Sequence, residues 1–126
     1  MELAPYFKSL VDQDVEPIVI CDTAHTIIYM NPVAERRYAK HGGAALVGRS
    51  LLACHNAASN AAIERVLDWF GQSAENNRVF TYRNEAEDAD VYMIALRDES
   101  GALIGYYEKH EIRRHDSGAY YAMDEN

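Results

Sequence analysis

The chain has 126 residues, enough for one globular domain and too few for several. Its composition, 48% hydrophobic and 25% charged, suits a folded protein that needs no metal or disulfide to hold a core, and it excludes wholesale disorder. Twelve Lys and Arg stand against twenty Asp and Glu, and the net charge of −8 argues against nucleic acid and anionic membrane as partners, since both are bound through clustered cations.

Leu3, Tyr6, Phe7, Leu10 and Val11 recur at helical spacing, and Pro5 comes early enough to start a helix, so residues 1–13 are expected to form an amphipathic leader. Glu16-Pro17 ends it, because the residue before a proline is driven out of the helical region. Two β-prone runs follow, Ile18–Cys21 and Thr26–Met30, joined as a hairpin through Asp22-Thr23-Ala24-His25. Asn31-Pro32 suits the start of a short helix reaching about Lys40, with Asn as cap, and His41-Gly42-Gly43 stops it. Gly48 breaks the chain again before Leu51-Leu52.

His55-Asn56 then leads to the clearest helix, expected from Ser59 to Phe70, with Ser59 and Asn60 as caps and Gly71 as its end. Ala62, Ile63, Val66, Leu67 and Phe70 give it one apolar stripe. The last third is β-prone: Arg78–Asn84, Asp90–Arg97 and Ala102–Arg113, with Glu85–Asp90 as a solvated hairpin tip and Asp98–Gly101 as a turn. Val91–Leu96 lacks polar alternation, so both its faces need cover. The helices supply one side; the leader, a second copy of the chain, or both must supply the other. Residues 115–126 form a tail expected to be mobile.

This order reads as an α+β domain over residues 14–114: a five-stranded antiparallel sheet with short helices and one longer helix on one face, plus the N-terminal helix. No run approaches the ~20 apolar residues of a membrane helix. The start lacks a basic region followed by an apolar core, and Cys21 and Cys54 have no metal or redox spacing, so a reducing cytoplasm is the expected setting.

Four strings in this order resemble the PAS domain family. Pro17–Asp22 with Thr26–Met30 resembles its opening hairpin, and Asn31-Pro32-Val33-Ala34-Glu35 its Asn-x-x-Ala-Glu helix start. Leu46-Val47-Gly48-Arg49-Ser50-Leu51 resembles its Val-Gly-Lys-Ser-Leu step, and Arg97–Gly105 its closing hairpin. Leu51–Asn56 with Ser59 is similar to a subgroup carrying Cys-His and a nearby Ser before the long helix. Members that pass signals to an attached output module often end in Asp-Ile-Thr, where Glu111-Ile112-Arg113 stands here.

The resemblance implies a non-catalytic signalling module that binds a small molecule or a protein partner. Ile18, Ile20, Ile28, Met30, Tyr38, Leu52, Ile63, Leu67, Val79 and Tyr92 are the expected lining of a cavity between sheet and helices, with the inward face of each strand open to a one-step shift of register. The alternative is that these side chains fill the space and leave a ligand-free dimerisation domain.

His55 lies between apolar segments and can contact a ligand, ligate a haem iron, or hydrogen-bond a loop backbone. Haem-sensing members carry a histidine on the long helix, and none occurs from Ala57 to Gly71. Cys54 offers a redox thiol, although Ala53-Cys54-His55 differs from the Asn-Cys-Arg string of flavin photosensors; a small buried core residue is the expectation for it and for Cys21. His41, His110 and His115 are expected at the surface. No nucleophile elbow, phosphate-binding glycine loop or His-Glu-x-x-His helix occurs, so no enzyme is expected. A homodimer through the leader helix and the outer sheet face is.

Overall fold

In the computed structural model, which describes residues 1–123, eight regular elements follow one another. They are α1 (Ala4–Asp12), β1 (Val19–Asp22), β2 (Ile27–Met30), α2 (Pro32–Arg37), α3 (Ala57–Gln72), β3 (Arg78–Asn84), β4 (Ala89–Arg97) and β5 (Leu103–Ile112). Tight 3₁₀ turns at Ala39–His41, Gly43–Leu46 and Leu51–Cys54 carry the chain from α2 to α3. The strands form one sheet in the order β2-β1-β5-β4-β3, with every neighbouring pair antiparallel. The expected α+β class and five-stranded antiparallel sheet are therefore present.

Two bulges decide which residues face inward. In the β1–β2 ladder Ile20 pairs with Tyr29 and Cys21 with Ile27, so Ile28 is the extra residue and stands 52% exposed. The bulge puts Ile27 and Met30 on one face despite their odd spacing. In β3 the same thing happens at Thr81: Phe80 pairs with Tyr92 and Tyr82 with Val91, so the two aromatics face opposite sides. Arg78 and Arg83, which flank them, are engaged elsewhere, Arg78 over the Tyr92 ring and Arg83 with Asp88 and Asp90.

Cys21, Ile27, Met30, Ala34, Leu46, Phe70, Met93 and Tyr106 make the core, with Ile63, Val66 and Leu67 of α3 packed against it. α3 begins two residues earlier than expected, at Ala57, because Asn56 is the cap, its Oδ1 accepting from the Ser59 amide at 2.8 Å. Gly71 lies within the helix. The far end of α3 is held by Arg97 of β4, whose guanidinium donates to the carbonyls of Phe70 at 2.7 Å and Ser73 at 3.0 Å. It supplies the cation that the helix lacks in its own last turn.

Asn31 ties the N-terminal segment to the domain. Its Oδ1 accepts from the amides of Ile18 and Ala34, and its Nδ2 donates to the carbonyls of Val11 and Glu16. Leu3 and the α1 residues Tyr6, Phe7 and Leu10 are all exposed. Within one chain the leader meets the outer sheet face at Tyr29 of β2, whose ring lies under Lys8 and whose hydroxyl donates to Asp12, while Tyr92, Ile94 and Leu96 on β4 stay half-exposed. The β3–β4 tip is solvated at Glu85 and Ala86 as expected, but the residues after it fold back: Ala89 is fully buried, and Glu87 is half-buried and paired with Arg37 at 3.0 Å. Residues 115–123 are exposed and carry no helix or strand, and residues 124–126 of the expected tail lie outside the described residues.

Candidate functional site

Between the sheet and the α2–α3 segment lies a cavity of about 530 Å³. Its floor is the inward face of the sheet: Val19 and Cys21 on β1, Ile27 and Met30 on β2, Met93 on β4 and Tyr106 on β5. The exposed side chains His41, Arg49, Cys54 and His55 stand at its mouth. α3 contributes Ile63 alone, because its fixed end is at Phe70 and Arg97, on the far side of the core.

Of the expected lining, Met30, Tyr38, His55 and Ile63 are brought together here. Leu67 and Val79 pack against the core beyond the lining. The remaining positions are one step out of register. Val19 and Cys21 line the cavity in place of Ile18 and Ile20, Ile27 in place of Ile28, Leu51 in place of Leu52, and Met93 in place of Tyr92. The bulge at Ile28 causes one of these shifts, and the unbroken apolar run Val91–Leu96 left the inward face of β4 undetermined.

Several polar groups were missed altogether. β5 sends Tyr106, Glu108 and His110 inward at alternate positions, and all three line the cavity. The i, i+2, i+4 spacing was visible, but polar side chains on a strand read as a solvent face. His110, expected at the surface, is buried, with its Nε2 3.2 Å from Glu108 Oε1. His25, in the first hairpin turn, is also buried; its Nδ1 is 2.8 Å from the Tyr106 hydroxyl, and its backbone has a positive φ of 66°.

His55 is exposed, and its Nδ1 is 2.9 Å from the Leu51 carbonyl, so it braces the turn before the Asn56 cap. Cys54 is exposed, contrary to the expectation of a buried core residue, because the Leu51–Cys54 turn directs it to the mouth; Cys21 is buried as expected. Burial pushes the Cys21 thiol up to about 11. Burial, reinforced by Glu108, raises the Tyr38 hydroxyl, and burial raises that of Tyr106. These hydroxyls stay protonated at neutral pH and can donate hydrogen bonds. The arrangement can therefore hold a compact molecule with an apolar body and polar substituents.

A sequence profile of the family described as PAS fold matches residues 11–109. No curated protein matches the chain. Among solved structures, the PAS domain of a protein from Colwellia psychrerythraea is similar at 13% identity and a TM-score of 0.62, covering 90% of this chain and 100% of that one. The PAS domain of Bordetella pertussis BvgS is similar at 19% identity and a TM-score of 0.58, covering 88% and 86%. The Aer2 receptor of Vibrio cholerae, described as a dual PAS-heme oxygen sensor, is 19% identical with a TM-score of 0.53, covering 75% and 90%. At these identities the likeness is one of fold.

Proposed function

The chain belongs to the PAS-fold family, and from that premise we propose that it is a non-catalytic sensor module of a signalling system, with a small molecule held in the cavity beneath the 3₁₀ turns. The observation that carries this reading is a space of about 530 Å³, within the range of small-molecule sites, floored by apolar side chains and rimmed by polar ones. Met30, Tyr38 and Ile63 would contact the apolar body of the ligand, and His55 and Glu108 its polar groups. Free thiols at Cys21 and Cys54 suit a cytoplasmic setting.

A ligand alters signalling only through its different affinity for two states of the protein. Asn31 offers the path outward. It caps α2 while holding the last turn of α1 and the carbonyl of Glu16, beside the cavity-lining Pro17. A second copy of the chain is the partner proposed for the exposed α1 residues and the outer sheet face.

Mass spectrometry of small molecules released from the native protein tests the reading. One compound in near-stoichiometric amount is expected, displaced when Ile63→Trp fills the cavity. Protein that releases no small molecule would instead be a ligand-free dimerisation domain. A haem-sensing reading rests on His55, whose second ring nitrogen is left for coordination once Nδ1 is held by Leu51. It expects a Soret band on haem addition that His55→Ala removes.

A further inference from the structure

Three side chains far apart in sequence meet beside β5. Glu16 comes from the segment between α1 and β1, Glu87 from the β3–β4 hairpin and His110 from β5, and one donor atom of each lies within 4.8 Å of the other two. The His110 side chain is only 2% exposed. With Nε2–H directed at Glu108, Nδ1 carries a lone pair, and that atom is buried with no hydrogen-bond partner among the described residues. A buried nitrogen without a partner, on a ring that brings one nitrogen within 4.8 Å of two carboxylates, is an arrangement that water-soluble proteins rarely leave unfilled.

We propose that Glu16, Glu87 and His110 form a binding site for a divalent transition cation of the zinc and manganese class, with Glu108 orienting the imidazole from behind. Metal-bound oxygen and nitrogen at about 2.0–2.2 Å from one ion lie about 3–4 Å from each other, so a cluster within 4.8 Å needs only small adjustments to close on a metal. The charges agree. Glu16, Glu87 and Glu108 are negative and Arg37 offsets one of them at Glu87, leaving a deficit that one divalent ion cancels. An imidazole nitrogen in the set favours zinc over calcium or magnesium, which prefer oxygen alone, and the carboxylates also suit manganese. A carboxylate on the far nitrogen of a metal-binding histidine is the usual outer partner, fixing the tautomer that coordinates.

The bound ion would join the base of the leader segment to the hairpin tip and to β5, and His110 and Glu108 would bring it to the wall of the cavity. The site does not depend on the cavity holding an organic ligand. The full chain, stripped with a chelator, is titrated by calorimetry with Zn²⁺ and with Mn²⁺, and with Ca²⁺ for comparison. One saturable site per chain is expected for Zn²⁺ or Mn²⁺, with a rise in Tm on loading and much weaker binding of Ca²⁺. Glu16→Gln and His110→Gln should each weaken binding at least about tenfold, and Glu108→Gln by about tenfold. Glu16 is half-buried in a loop, so Glu16→Gln decides the matter if His110→Gln does not fold. Absence of saturable binding, or a site unaffected by Glu16→Gln in a variant with an unchanged circular dichroism spectrum, overturns the proposal.

Discussion

Asn31 is fully buried, and both donor hydrogens and both acceptor directions of its amide are used. Aspartate is as good a helix cap, yet at this position its second oxygen would face the Val11 and Glu16 carbonyls. Asn31→Asp is therefore expected to destabilise the protein nearly as much as Asn31→Ala, by about 2–4 kcal/mol in urea unfolding; an aspartate variant as stable as the parent would contradict this. The capping role was legible because its partner, Ala34, is three residues away. The bonds to Val11 and Glu16 were not, since nothing local marks which carbonyls a buried amide will meet. The two thiols separate by the same logic of burial. At pH 8 an aromatic disulfide reagent should titrate one thiol, Cys54, in the native protein and two after denaturation. The Cys21 thiol is raised by burial from 9.0 to about 11. The unfolded chain thus gives up this proton at lower pH than the folded one, and the protein should lose stability as the pH climbs from 9 to 11, a loss that Cys21→Ala removes.

Elements were read well where their signal is local. The Asp98–Gly101 turn forms as the sequence indicated, with Asp98 Oδ1 accepting from the amides of Ser100 at 2.9 Å and Ala102 at 3.1 Å, and Gly101 at a φ of 89°. Strand positions were legible, whereas inward faces were not, because a bulge shifts every later side chain and leaves no mark in the hydrophobic pattern. The start of α3 was missed because Asn56 and Ser59 are both good caps, and Ala57 and Ala58 favour helix enough to move the boundary back to Asn56. Gly105 shows another demand invisible in the pattern. It lies on β5 opposite Asp22, and a Cβ there would come within 2.1 Å of the Cys21 carbonyl oxygen. Backbone cannot yield as a flexible side chain does, so Gly105→Ala is expected to force β1 from β5 and cost about 3 kcal/mol or more. Thermal unfolding followed by circular dichroism checks this, and an unchanged melting temperature would count against it.

At the scale of the molecule, the order of helices and strands was enough to give the fold class, and the apolar residues of α1 were legible as a surface needing a partner. In one chain that surface is bare, with Leu10 72% exposed. If a second copy covers it, multi-angle light scattering should give a dimer at micromolar concentration. The triple variant Leu3→Ser, Phe7→Ser, Leu10→Ser should weaken association at least about tenfold, as expected for apolar anchors near an interface centre; a parent chain that is monomeric at high micromolar concentration would rule this out. The placing of β1 between β2 and β5 has a consequence for biosynthesis. Ile20 pairs with Tyr107, so the sheet cannot be assembled stepwise as the nascent polypeptide leaves the ribosome. The opening hairpin must wait, with one edge unsatisfied, until β5 has been translated. Such long-range closure slows folding and lengthens the interval in which a growing chain can aggregate. Premature termination before Leu103 would leave that edge permanently open, a product for chaperones and proteases.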